Sequence, residues 1–258
     1  RSLGAQLIEN EQRWLPQLAP VLPLPVPVPV RTGRATASYP WSWSVCRWLP
    51  GNVALHDPPA DPAAAARALG AFVAALHRPA PLDAPINPVR GGPLAGRDAK
   101  LRERVAQLRD VIDGDAVVRC WDDLAAAPRW SGPPLWVHGD FHLGNVIVHA
   151  GEISAVIDFG DITAGDPATD LAIAWMMFPA HLRTEFRAAP GPAGGGESPA
   201  VGFHETSRDS QPESAAAGGR ARRAEGLVEN ARQHGRRNAR PEIHHPHNKL
   251  AVRQPGAH

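Results

Sequence analysis

A mixed α+β fold is predicted, and three observations predict it. Apolar residues recur at helical spacing in several windows, short β-favouring runs cluster between residues 135 and 157, and two Asp-Pro pairs give cap-then-proline helix starts. With 43% hydrophobic residues in 258, the chain carries enough apolar material for a substantial core.

Residues 5–18 place Leu7, Ile8, Glu11, Trp14, Leu15 and Leu18 at helical spacing, and Pro20 closes the pattern. The run PVLPLPVPVPV at 20–30 alternates proline with aliphatics. Such a run cannot be a central strand; it suits an extended edge segment leading into a strand, with a ligand for a proline-binding module as the rival reading. WSWSVCRWL at 41–49 is aromatic and β-favouring and stops at Pro50-Gly51, so a strand ending in a hinge-like turn is expected. Asp61-Pro62 supplies an N-cap and a proline in the first turn, after which Leu69, Phe72, Val73 and Leu76 share one face of a helix running to about His77. Residues 78–96, dense in proline and glycine, are expected to be loop. Leu101, Val105, Leu108 and Ile112 repeat the helical stripe, and a short helix over 115–126 is expected with Asp115 as its cap. Strands are expected at 135–137, 146–149 and 153–157, the last two forming a hairpin about Ala150-Gly151. Asp166-Pro167 opens an apolar helix through DLAIAWMMF that ends near Pro179. From about Pro190 the sizeable apolar residues thin out and Gly, Ser, Ala, Arg and His take over, the composition of a disordered tail. A shifted reading frame near residue 189 would produce such a change, and reading the other two frames of the gene tests it.

Charge and cysteine usage narrow the setting. Lys and Arg number 27 against 26 Asp and Glu, so nothing global draws the chain to nucleic acid or to an anionic membrane. Cys46 and Cys120 lack CxxC spacing, which gives neither a zinc site nor a disulfide framework, and a reduced cytoplasm is the expected compartment. No apolar run reaches the ~18 residues of a membrane span, and the first residues lack a signal layout. The sequence begins at Arg1 rather than Met and is expected to be incomplete at its front.

The chemistry-bearing stretch is WVHGDFHLGNVIVHAGEISAVIDFGD, residues 136–161. Asp140 and Asn145 share a tight loop after a strand, and Asp158 opens an Asp-Phe-Gly after the hairpin. Phosphoryl transfer asks a protein for a carboxylate that orients and deprotonates the attacking hydroxyl and for oxygen ligands that hold magnesium on the nucleotide phosphates. These three residues supply that set, laid out as protein kinases lay it out. Seven identities (His138, Gly139, Asp140, Asn145, Asp158, Phe159, Gly160), at roughly one in fifteen each, coincide by chance on the order of once in 10⁸. His138 is expected to hold the loop by hydrogen bonding, and His142 and His149 to be solvent or loop histidines. Asp166 fits an N-cap. Asp170, one turn into an apolar helix, is costly to bury unless it braces the catalytic loop. Asp161 lies where an amine group of a substrate could reach it.

HGDFHLGN and IDFGD resemble the HGD-x-x-x-x-N and IDFG-D motifs of the aminoglycoside phosphotransferase superfamily, whose members share the kinase fold and phosphorylate small alcohols. GDPATDLAIAW (165–175) and SVCRWLPG (44–51) extend the likeness to roughly residues 5–185. The resemblance implies a protein-kinase-like two-lobed fold, with a partial N-terminal lobe over 1–49 and a mostly helical catalytic lobe over 50–188; over 189–258 the composition gives a low-complexity tail where family members continue with further helices. It implies Asp140 as base, Asn145 and Asp158 as Mg2+ ligands, and the backbone of Arg47, Trp48 and Leu49 as the adenine contact. The expected donor is ATP, the acceptor a hydroxyl of an aminoglycoside-like or other amine-bearing alcohol, and the protein a monomer. The chain departs from the family in lacking a glycine-rich hairpin and the lysine that pairs with a glutamate. Lys100 and Lys249 are the only lysines and neither is placed for that role, whereas Glu11 matches the glutamate. Weak nucleotide binding is therefore expected. Two rivals stand beside this reading. One is a metal-dependent hydrolase using His138, Asp140 and His142. The other is a non-catalytic pseudo-kinase or binding protein acting through the arginine-rich stretch 219–240.

Overall fold

The computed structural model describes residues 2–189, so the expected tail and its arginine-rich stretch lie outside the described residues apart from Ala189. Helix α1 (Ser2–Leu18) buries Trp14, Leu15 and Leu18 along the expected stripe. It carries Pro16 in its last turn, where the missing N–H and the ring clash disturb little remaining helix. The proline-rich run then acts as an edge: Val26 is buried, and the Pro25 carbonyl accepts the Val156 N–H at 3.0 Å. It leads into strand β1 (Pro29–Gly33), antiparallel to β2 (Trp43–Cys46). The strand expected to reach Leu49 stops at Cys46, because its partner ends opposite at Pro29, which has no N–H to continue the ladder. Arg47, Trp48 and Leu49 instead connect β2 to the two-residue strand β3 (Asn52–Val53).

Helix α2 (Pro62–Leu76) begins where Asp61 accepts the N–H groups of Ala63 and Ala64 at 2.9 and 3.0 Å. Its buried face carries Leu69, Phe72, Val73 and Leu76. A side chain at Gly70 would meet the Phe186 carbonyl at 2.1 Å, so this glycine lets α7 (Ala180–Ala188) lie close against α2. Two expectations change along the next segment. Helix α3 (Asp98–Gln107) ends before Ile112, whose N–H closes a turn on Leu108. Helix α4 (Gly114–Ala125) is capped by Asp113 rather than Asp115, because the Asp113 carboxylate accepts the Ala116 N–H at 2.9 Å while Asp115 already lies in the first turn. Neither α3 nor α4 contains a buried residue; Arg102 links them by bonding Asp98 at 2.9 Å and Asp122 at 2.5 Å.

Strands β4 (Leu135–Val137), β5 (Val146–His149) and β6 (Glu152–Val156) form close to where the sequence puts them, β6 starting one residue early. The β5–β6 turn uses left-handed Ala150 and Gly151, with φ of 52° and 82°. β3 pairs with β5, and β4 pairs with a strand the sequence does not announce, β7 (Thr163–Gly165). The apolar helix after Pro167 is resolved as α5 (Ala168–Leu171) and α6 (Ile173–Met177), separated only by Ala172, whose backbone stays right-handed helical. The core runs from Trp14, packed at a tilt against Trp136 with 4.8 Å between ring centroids, to Phe72, Phe141 and Phe159 beneath the β4 exit. Among the described residues no helix is long and apolar enough to cross a membrane.

Candidate active site

Strand β4 runs out into His138-Gly139-Asp140. Gly139 has φ of +86° and a side chain there would lie 2.4 Å from the Asp161 carbonyl, so the chain turns here only with glycine. His138 is fully buried, its ring 4.5 Å from that of Phe159 and 5.4 Å from that of Phe141. Its Nδ1 accepts the Asp140 N–H at 3.2 Å, which assigns the proton to Nε2, 3.0 Å from the Ile157 carbonyl it then bonds. Burial pushes the His138 pKa down, against the weaker opposing pull of Asp170, the Ile157 carbonyl and the charges of Asp158 and Asp140, and keeps the ring neutral.

Asn145 is buried, and its Nδ2 donates to the Asp140 carbonyl at 2.9 Å. Its own carbonyl accepts the Ile157 N–H at 2.9 Å. The Ile157 residue is therefore held on one side by Asn145 and on the other by His138, and Asp158 follows it directly in the left-handed region, φ 63° and ψ 65°. Asp tolerates that conformation better than most residues. Three short hydrogen bonds thus bind the stretches bearing Asp140, Asn145 and Asp158 into one unit. With its amide nitrogen used, Asn145 keeps its side-chain oxygen, which together with the Asp158 carboxylate would offer two oxygens to a cation. Magnesium takes one or two protein oxygens plus phosphate and water, so a pair of this chemistry would suit it without a larger acidic cluster, and no metal-holding group of three or more His, Cys, Asp or Glu occurs among the described residues. The zinc-hydrolase arrangement does not form, because His138 has both ring nitrogens engaged and His142 turns its Nδ1 to the Gly144 N–H at 3.0 Å.

Asp170 lies entirely buried under the loop. Its Oδ2 accepts the His138 N–H at 2.7 Å and its Oδ1 the Gly139 N–H at 3.0 Å, with His77 Nε2 3.2 Å from Oδ2. Residues beyond the sequence reading complete the site. Arg90 Nη2 donates to Asp140 Oδ1 at 2.6 Å and its Nε to Asp161 Oδ2 at 3.2 Å, while Asn87 Nδ2 donates to Asp161 Oδ1 at 2.8 Å. Nothing in the proline-rich loop announces Arg90 or Asn87. Arg47, Trp48 and Leu49 stand on the β2–β3 connection, with Trp48 73% exposed.

From α1, Glu11 faces the same corner. Burial, reinforced by the charge of Asp158, pushes its carboxyl up from 4.5 to about 7, against a Phe159 backbone N–H that pulls it down. The folded protein holds this proton more tightly than the unfolded chain, so stability is lost as pH rises from 4.5 to about 7. In the metal-free protein Glu11→Gln is expected to be the more stable form at pH 8, by on the order of 2 kcal/mol, with the gap closing at pH 4.5. Urea unfolding of both proteins across that range checks it, and a gap independent of pH would remove Glu11 as its source.

The described backbone is that of kinase-like phosphotransferases. It superposes on an aminoglycoside 2'-phosphotransferase in complex with GDP with a TM-score of 0.57 at 19% identity, over 73% of this chain and 67% of that one. A GDP and kanamycin complex of APH(2")-IIia gives 0.56 at 20% identity, over 73% and 68%. The family model described as "Phosphotransferase enzyme family" matches residues 2–204, and the chain belongs to that family. The aminoglycoside 3'-phosphotransferases of Escherichia coli and Salmonella typhimurium are 30% and 29% identical over 111 residues, 42% of this chain. That match spans 41% of the length of each relative.

Proposed function

We propose that this chain carries the catalytic core of a kinase that moves the γ-phosphoryl group of ATP to a hydroxyl of a small molecule, an aminoglycoside-like or other amine-bearing alcohol. The observation that carries the reading is the fastening of Asp140, Asn145 and Asp158 through the Ile157 peptide. Asp140 orients the acceptor hydroxyl and takes its proton as the new P–O bond forms and the bond to ADP breaks. Asn145 and Asp158 would hold Mg2+, which neutralises charge on the nucleotide phosphates. His138 and Asp170 keep the loop in shape, and the backbone of Arg47, Trp48 and Leu49 meets adenine where residues 1–49 of the small lobe join the catalytic lobe at 50–188. Glu11 waits for a cationic partner that the described residues do not supply. The free, exposed Cys46 and Cys120 fit a reducing cytoplasm, where the donor is abundant.

Magnesium-dependent binding of a fluorescent ADP analogue tests the reading. It is expected in the parent chain and at least roughly tenfold weaker in Asp158→Ala and Asn145→Ala, which lose an oxygen ligand to the cation. The same titration with a GDP analogue tells the donor. Nucleotide binding that needs no magnesium and ignores both substitutions would sink the proposal.

A further inference from the structure

The side of the base that faces the acceptor is shaped by Arg90. Its backbone is held firmly: the Pro85 carbonyl accepts the Ala164 N–H at 2.8 Å and the Thr163 hydroxyl at 3.1 Å, and the Asn87 N–H donates to Thr163 Oγ1 at 2.9 Å. Gly91, with φ of +65°, offers its carbonyl to the Asp166 N–H at 2.9 Å. Between these anchors the Arg90 guanidinium, 31% exposed, spans Asp140 and Asp161, whose side chains are 27% and 23% exposed. Both oxygens of Asp161 are taken, one by Asn87 and one by Arg90. Oδ1 of Asp140 is held by Arg90, which leaves Oδ2, 3.4 Å from His142 Nε2, as the oxygen turned to an incoming hydroxyl.

We propose that Arg90 is a specificity-determining and positioning residue that closes the surroundings of the base to ammonium groups, so that the reacting hydroxyl comes from a neutral stretch of the acceptor. The inference rests on the phosphotransferase reading and narrows its acceptor class. An acceptor amine beside the hydroxyl would need a free carboxylate, and the near one, Asp161, is already satisfied twice. It would also have to displace the Arg90 guanidinium from Asp140 or Asp161 in a partly buried corner before it could meet either carboxylate. Amines farther along the acceptor are untouched by this constraint. Arg90 at the same time fixes which oxygen of Asp140 receives the proton.

Calorimetric titration of the full chain with kanamycin, a polyamine, tests the proposal. Arg90→Met is expected to bind it at least roughly tenfold more tightly than the parent, by freeing an oxygen of Asp161 from the guanidinium. Arg90→Met combined with Asp161→Asn is expected to fall back towards the parent, because the freed carboxylate is the group that captures the amine. Equal or weaker binding to Arg90→Met, binding to neither protein, or a gain that survives Asp161→Asn overturns it. Should Arg90→Met lose its native circular dichroism, Arg90→Gln, which keeps a hydrogen-bond donor without the charge, carries the same expectations. The magnesium and nucleotide titrations of Asp158→Ala report separately on the phosphotransferase reading, so the two failures are told apart.

Discussion

Asp170→Ala is expected to lower folding stability by about 3–5 kcal/mol, enough to unfold much of the protein at moderate temperature. The carboxylate is buried and accepts two backbone N–H groups, from His138 and Gly139, at 2.7 and 3.0 Å. Alanine strands both donors, and a buried unpaired N–H costs about 1–3 kcal/mol. It also removes the partner of the buried His77. Asp170→Asn keeps one acceptor oxygen but turns an N–H2 toward one of the two donors, so an intermediate loss is expected. Urea unfolding measures both. Nucleotide binding is expected to fall together with stability. A variant that melts like the parent yet loses function would show that Asp170 acts on the chemistry rather than by bracing the loop.

The second large effect concerns rate. Asp140→Asn is expected to slow phosphoryl transfer by roughly 10²–10⁴, the range that a positioned general base supplies. Nucleotide affinity should change little. Asn145 bonds the Asp140 backbone carbonyl and His138 bonds its N–H, so neither contact depends on the carboxylate. The substitution therefore keeps the loop while removing the proton acceptor. Transfer of labelled γ-phosphate to an acceptor, measured beside binding of the ADP analogue, separates the two quantities. Undiminished transfer by Asp140→Asn would take the base role away from this residue.

What could be read in advance was what short-range chemistry dictates. Helices α1 and α2 announce themselves through Trp14, Leu15 and Leu18 and through the Asp61-Pro62 start, because burial at helical spacing and capping are local. The β5–β6 hairpin is legible in Ala150-Gly151 for the same reason. Strands β3 and β7 have two and three residues, too few for alternation to register, and exist because β5 and β4 offer them edges. Asp140, Asn145 and Asp158 stood out by spacing alone, since the chain brings them together within one loop and hairpin. Arg90 lies 50 positions from Asp140, and His77 lies 93 from Asp170. Such contacts are made by the packing of a proline-rich loop and a helix end, for which sequence periodicity carries no signal.

The amide and carbonyl of Ile157 are both claimed, one by Asn145 and one by His138. On the proposed reading, this single link couples the side of the cleft that would accept the proton to the side that would hold the cation. A disturbance arriving through the hairpin, or through the helix beneath the loop, is passed to both sides at once. On that reading, proton removal and phosphate anchoring should therefore weaken in step when this part of the chain is perturbed; side-chain changes at residue 157 leave both bonds in place, and proline, which removes the amide, is the substitution that breaks the Asn145 link while sparing the His138 one.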